Sequence, residues 1–163
     1  MDETNLLDRF LDVLRDLDIR YCVVGGQAVN AYVDPVVSLD LDVAVAVEQL
    51  SSLEERLLRE FRVERFAHSL NVSAAGSDLR VQIQTDPRYA AFVGRATERV
   101  ILGRPLMTAA LDDVLGGKVW AAQDVTRRAS KRQKDLADIA RLLEAYPELR
   151  AQVPGDVLAR LVS

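Results

Sequence analysis

Leu6, Leu7, Phe10, Leu11, Leu14 and Leu17 recur at the three-and-four spacing of one helix face. Asp, Arg and Glu fill the positions between them. Thr4 stands where a helix cap belongs, and Asp18 closes the helix. The pattern then changes. An apolar run over residues 21–24 ends in Gly25-Gly26, and a short helical stretch over residues 27–33 is broken by Asp34-Pro35. Residues 38–47 alternate. Read as a strand, they put Leu39, Leu41, Val43, Val45 and Val47 on one face, and Asp40, Asp42, Ala44 and Ala46 on the other.

The rest of the chain continues as short alternating elements. Residues 49–61 predict a helix, 62–66 and 70–73 two short strands, and 79–85 a strand. In that last strand Val81 and Ile83 face one way. Arg80, Gln82 and Gln84 face the other, and Asp86 follows with the same parity. Pro87 opens a helical stretch to about residue 95. Residues 99–102 and 105–108 flank Gly103-Arg104 as a hairpin. Two helices follow, over 109–123 and 130–145. The second carries Leu136, Ile139, Ala140 and Leu143 as its core stripe, and a last small helix covers 154–161. Gly116 and Gly117 weaken the first of these helices by roughly 1 kcal/mol each, so close packing or a ligand is expected there. The pattern predicts an α/β (α+β) fold, a small mixed sheet flanked by helices with a helical C-terminal part.

Composition narrows this only a little. A chain of 163 residues fits one domain with a sizeable core. A net charge of −4 argues against a molecule that is basic overall, while leaving room for a local basic patch. Cys22 stands alone, so no intrachain disulfide forms, and a buried thiol is the expected state. Met1-Asp2-Glu3 has the wrong charge for a secretory leader, and no apolar run reaches membrane-spanning length. The cytoplasm is the expected location.

The chemistry concentrates in Asp40 and Asp42. Two carboxylates on one face of an apolar strand repel each other unless a cation bridges them. Mg²⁺, or Mn²⁺ in its place, suits such a pair, because it takes one or two carboxylates and completes its shell with water and phosphate oxygens. The glycines before them let backbone approach a ligand, and the following helix start offers free N–H groups to phosphate. The alternative for the glycines is a tight strand-to-helix turn, and for the aspartates a solvated strand end.

Val24-Gly25-Gly26, then thirteen residues, then Asp40-Leu41-Asp42-Val43 resembles the signature of the minimal nucleotidyltransferases of the polymerase-β-like superfamily. The downstream Gly117-Lys118 and Lys134-Asp135-Leu136-Ala137-Asp138-Ile139 resemble the later motifs of the AbiEii-type toxin branch. The resemblance implies a nucleotidyltransferase-like core over about residues 20–110 and a helical part over about 110–163. It also implies transfer of a nucleoside monophosphate from NTP–Mg²⁺ to a hydroxyl, with tRNA as a possible acceptor and a cognate antitoxin protein as a possible partner. Asp40 and Asp42 would hold the metal, and Gly25, Gly26 and Gln27 would cradle phosphate. Lys118, Arg128 and Lys131 would neutralise charge, and Asp135 would hold a basic side chain or touch the nucleotide.

One position departs from that pattern. The family's third carboxylate falls on Gln82 or Gln84, and an amide cannot accept a proton as a general base. Asp86 has the right parity but lies further along. The alternative function is therefore a non-catalytic nucleotide- or RNA-binding protein. Arg127, Arg128, Lys131, Arg132 and Lys134 cluster around a helix start, where cations oppose the macrodipole and an anionic partner would offset their repulsion. The alternative is a solvated face tied by Lys131–Asp135 and Lys134–Asp138 pairs. His68 is the only histidine, which removes Ser-His-Asp and histidine-zinc chemistry. Trp120, Tyr89 and Tyr32 are read as core or cleft packing, with base stacking as the alternative.

Overall fold

The computed structural model describes residues 3–162, with residues 3–5 described by their backbone alone. Helix α1 spans Glu3–Asp16 and buries Leu6, Leu7, Phe10, Val13 and Leu14. The cap expected at Thr4 falls on a side chain outside the described residues. Asp18 closes the turn with φ of 51°, a left-handed conformation that Asp tolerates. Strand β1 (Tyr21–Val24) leads directly into α2 (Gly25–Tyr32). The glycine pair therefore opens the helix, with Gly25 in a left-handed conformation. Strand β2 (Asp40–Val45) ends earlier than its alternation suggested, in a 3₁₀ turn over Val47–Gln49 that feeds α3 (Leu50–Glu60).

Strands β3 (Arg62–Arg65), β4 (Ser69–Ser73) and β5 (Arg80–Gln84) follow. The helix expected over 87–95 is a 3₁₀ turn (Pro87–Tyr89) running into α4 (Ala90–Val93), a single turn. The hairpin of β6 (Thr97–Ile101) and β7 (Arg104–Thr108) turns at Leu102-Gly103, both at positive φ. Helices α5 (Leu111–Gln123), α6 (Ala129–Ala145) and α7 (Gly155–Leu158) complete the described chain, with a 3₁₀ segment at Pro147–Gln152.

The seven strands form one mixed sheet in the order β3-β4-β5-β2-β1-β7-β6. Its centre, β2, runs antiparallel to β1 and parallel to β5. Register fixes the geometry of the site. Asp42 stands opposite Val24, the last residue of β1, and opposite Gln82 on β5, while Asp40 stands opposite Arg80. The chain thus leaves β1 for the glycine corner beside the second aspartate. One apolar cluster runs from Leu6 through Val43, Leu57, Ile83 and Leu115 to Val157. Helix α2 packs on α5 and α6, which pack on each other, and α4 lies on β1 and β2.

Helix α6 shows a correction. Its buried stripe is Asp135, Asp138, Ile139 and Leu142, while Leu136 and Leu143 are half-buried. The helix is rotated from the expected orientation, so two carboxylates point inward. That is affordable only because cations meet them there. Among the described residues no helix is long and apolar enough to cross a membrane.

Candidate functional site

Gly25 adopts φ of 70°, where a side chain is strained, and a Cβ added there would overlap the Asp42 carboxylate. The left-handed glycine lets the β1–α2 corner close over Asp42. Asp42 is half-buried as a residue, but its Oδ1 is sealed from water and has no hydrogen-bond partner. Burial pushes its carboxyl up to about 6, and the neighbouring Asp40 charge pushes the same way. Lys118, Arg127 and Lys131 pull it down, but by less than burial raises it. Asp40 is also half-buried, and its Oδ1 accepts a hydrogen bond of 3.0 Å from Arg80 Nε.

Lys118 lies on α5, 7% exposed. Its Nζ donates to Asp135 Oδ1 at 3.2 Å and lies 2.8 Å from Asp138 Oδ2, poorly aligned for a hydrogen bond. Burial works to drive its ammonium down. Asp138 and Asp135 outweigh that, so the net direction is up and Lys118 stays charged. Arg127 donates to Asp135 at 2.7 and 3.2 Å, and Arg141 NH1 to Asp138 Oδ1 at 2.8 Å. Arg141 continues outward to Asn30 Oδ1 at 3.0 Å and the Asp34 carbonyl at 2.7 Å. Two buried carboxylates and three cations therefore tie α5, α6 and the α2–β2 connection into one network beside Asp42. The Lys131–Asp135 and Lys134–Asp138 pairs weighed from the sequence give way to these partners, because both aspartates face inward.

The remaining predicted residues divide. Gln27 is buried, and its Nε2 donates to the Ser38 carbonyl at 3.0 Å. Its side chain anchors the segment before β2, leaving its backbone to the glycine corner. Gln82 and Gln84 are half-buried on the face of Asp42, with no side-chain hydrogen bond among the described residues. Asp86 turns away from that role. It caps the Pro87 turn through Arg88 N at 3.0 Å and pairs with the Arg88 guanidinium at 2.9 Å. Arg128 and Lys131 are exposed at the start of α6, with Lys131 in the field of Asp42.

Three contributors escaped sequence reasoning, and one of them, Arg141, is an i,i+3 partner of Asp138 that no motif marked. Asp138 sits within the quoted Lys-Asp motif but was assigned to an exposed i,i+4 pair; the motif itself was its signal. Tyr89 was read as packing. Its ring does pack edge-on against Phe92 and Trp120, at 5.5 and 5.6 Å between centroids. Its hydroxyl, however, lies in the field of Asp42, and burial and that charge together push it up to about 12. A methyl on Gly117 would come 3.3 Å from Tyr89 Cε1, which explains one glycine of the Gly116-Gly117 pair. Nothing lies near Gly116.

A divalent cation fits Asp40 and Asp42 by charge and by the sealed, unpartnered oxygen of Asp42. Among the described residues no group of three or more His, Cys, Asp or Glu gathers as a metal cluster. The two aspartates alone would supply the protein ligands. A cavity of about 560 Å³, lined in part by Tyr21, Val47, Ala90, Val93 and Met107, lies at the opposite end of β1 and β2 and contains none of these groups.

The sheet order and the helices around it are those of a nucleotidyltransferase fold. The structure is similar to the antibiotic-resistance factor ANT(2'')-Ia, with a TM-score of 0.57, 17% identity, and 93% of this chain and 94% of that chain covered. It is similar to the lincosamide antibiotic adenylyltransferase LnuA, with a TM-score of 0.51, 9% identity, and 83% and 95% covered. An antigenic nucleotidyltransferase-like protein from Paracoccidioides brasiliensis gives a TM-score of 0.51, 16% identity, and 94% and 92% covered. No protein-family model matches the chain, and no curated protein matches it.

Proposed function

We propose that the chain transfers a nucleoside monophosphate from an NTP to a hydroxyl acceptor, with Mg²⁺ or Mn²⁺ held by Asp40 and Asp42. The observation that carries this reading is Asp42. Its Oδ1 is sealed and unpartnered at the foot of a glycine corner, with Asp40 beside it. An ionised carboxylate kept there without a partner costs free energy unless a ligand supplies the missing positive charge. Held by Asp40 and Asp42, the ion would supply Lewis-acid stabilisation of the charge that grows on the phosphate.

The residues have distinct tasks. Gly25 and Gly26 let backbone approach phosphate at the start of α2. Arg127 and Lys131 lie in the field of Asp42 and would help balance the triphosphate. Lys118 holds a fixed positive charge behind Asp42, and Asp135 and Asp138 keep it charged and in place. In the transfer, the acceptor oxygen bonds the α-phosphorus and the bond to the bridging oxygen breaks. Pyrophosphate leaves with that electron pair, and the acceptor proton passes to solvent.

The AbiEii-type resemblance directs the acceptor toward tRNA and adds a cognate antitoxin as partner. The exposed Arg128, Lys131 and Lys134 at the start of α6 support a polyanionic acceptor. Small molecules are the other acceptor class, since ANT(2'')-Ia is described with adenylyl-2"-tobramycin. One observation favours a second reading: an amide, Gln82, stands opposite Asp42 where the family has its third acid. That substitution suits a protein that binds nucleotide without turnover.

The test is incubation with each labelled NTP, Mg²⁺ and either total tRNA or tobramycin, with Asp42→Asn as control. Label on an acceptor, lost in the variant, supports transfer. Nucleotide binding with no labelled product supports the binding protein.

A further inference from the structure

The two aspartates of β2 are not held alike. Asp42 lies between two strands, opposite Val24 on β1 and opposite Gln82 on β5. Asp40 has a strand on one side only, opposite Arg80 on β5, because β1 has already given way to α2 after Val24. Where Asp40 sits relative to Asp42 therefore depends on what fixes the chain just before it.

That stretch of chain does not fix itself. Residues 34–38 lie outside any helix or strand and make no backbone–backbone hydrogen bond among the described residues. Apolar burial does not hold them either, since Val36 and Val37 are 52% and 91% exposed. Side chains of α2 and α6 hold them from behind. Asn30 pairs with Val36 as a neighbouring strand would. Its Nδ2 donates to the Val36 carbonyl at 2.7 Å, and its Oδ1 accepts from Val36 N at 3.0 Å. Gln27 Nε2 donates to the Ser38 carbonyl at 3.0 Å, and Arg141 Nη2 to the Asp34 carbonyl at 2.7 Å. The three holders are joined to one another. Arg141 Nη2 also donates to Asn30 Oδ1 at 3.0 Å, and Asn30 Nδ2 to Gln27 Oε1 at 3.4 Å. Arg141 Nη1 is anchored on the buried Asp138 at 2.8 Å. A connected network of this kind is stiffer than separate bonds, because each member orients the next.

We propose that Gln27, Asn30 and Arg141 are positioning residues for the ion site: by clamping the backbone of residues 34–38 they set Asp40 at the spacing from Asp42 that one Mg²⁺ or Mn²⁺ requires. This rests on the reading of the two aspartates as the ion's protein ligands. The amides and the guanidinium are spent on the segment and on each other, so they act through Asp40. Mg²⁺ tolerates little departure from octahedral geometry, so a small shift of one carboxylate weakens binding. Groups that orient metal ligands from behind matter for the same reason.

The experiment titrates the parent chain, Asn30→Ala, Gln27→Met and Tyr146→Phe with Mn²⁺, reading free Mn²⁺ by electron paramagnetic resonance and using Mg²⁺ as competitor. Tyr146 joins the ends of the same two helices through the Tyr32 carbonyl at 3.0 Å and does not touch the segment. Asn30→Ala should raise the Mn²⁺ dissociation constant about ten-fold. Gln27→Met keeps the side-chain volume and loses one bond, so it should shift the constant in the same direction by less. Tyr146→Phe should lose melting temperature and keep the parent's Mn²⁺ affinity. If Asn30→Ala melts below the assay temperature, Gln27→Met decides. Parent-like Mn²⁺ binding in the deciding variant, or equal weakening in Tyr146→Phe, overturns the clamp and leaves the ion site standing. Asp42→Asn binding Mn²⁺ as tightly as the parent removes the ion site, and the clamp's purpose with it.

Discussion

The carboxylate of Asp42 occupies the space that a side chain on Gly25 would need. Glycine is required there twice over, for its φ of 70° and for the room. Gly25→Ala is expected to cost roughly 2–5 kcal/mol, summing backbone strain and overpacking. Gly26 is the contrast. A methyl there would come no nearer than 4.0 Å to Asp138, and the residue lies within α2. Gly26→Ala should stabilise the fold by roughly 0.5–1 kcal/mol and weaken nucleotide binding. Urea unfolding and nucleotide titration of both variants check the pair.

The raised carboxyl of Asp42 makes the unliganded protein sensitive to pH. Its value of about 6 lies above the ordinary 3.8, so the folded state holds the proton more tightly. That contribution is full below pH 3.8 and is lost as pH rises through about 6. Above that range ionised Asp42 costs the fold about 3 kcal/mol. Asp42→Asn should therefore raise the melting temperature at pH 8 and leave it nearly unchanged at pH 4. Mg²⁺ should raise the melting temperature of the parent at pH 8 and not that of the variant. Thermal melts at the two pH values, with and without Mg²⁺, measure both effects.

Removing the Lys118 charge should be costly for a different reason. Lys118→Met leaves Asp135 and Asp138 buried with one cation each, Arg127 and Arg141. Breaking a buried pair from one side typically costs about 3–5 kcal/mol. Denaturant unfolding should show a loss in that range. Replacing the lysine together with its two acidic partners, Lys118→Met with Asp135→Leu and Asp138→Leu, should recover more than half of it. A single variant no less stable than the parent would show that the network carries no stability.

Gln82 offers a gain-of-function test. Gln82→Asp places a third carboxylate opposite Asp42 on the neighbouring parallel strand. General-base catalysis contributes roughly 10²–10⁴-fold. The variant should turn over at least ten times faster at pH 8 with unchanged NTP affinity. It should also move the lower pH limit of activity upward, because a second neighbouring charge raises Asp42 further. Turnover at or below the parent level would count against Gln82 standing in for the missing acid.

Much of the sheet was legible because each strand has its own alternation and its own turn residues. Asp40-Leu41-Asp42-Val43 announced a strand with a charged face, and it is the central strand of the sheet. What misled were positions where tertiary partners override local pattern. Apolar periodicity in α6 favoured Leu136 and Leu143, yet the cations of Lys118, Arg127 and Arg141 draw Asp135 and Asp138 inward instead. No periodicity rule anticipates that, because it depends on charges brought together from α5, α6 and the segment between them. Gln27 looked like a phosphate contact from its place after the glycines, but its amide is used on Ser38. Tyr89 looked like packing because its ring does pack. Its hydroxyl comes into the field of Asp42 only once the Pro87 turn is packed against α5.

The Arg141 guanidinium joins the last long helix to the segment just before the strand that carries Asp40 and Asp42. Ribosomes make that segment about a hundred residues before they make Arg141. During synthesis the two aspartates of β2 therefore emerge without the charges that later steady their surroundings. A chain still short of residue 135 has Lys118 but neither of its acidic partners. Whatever chemistry the cleft performs therefore waits until α6 has been made and its aspartates can meet Lys118 and Arg141.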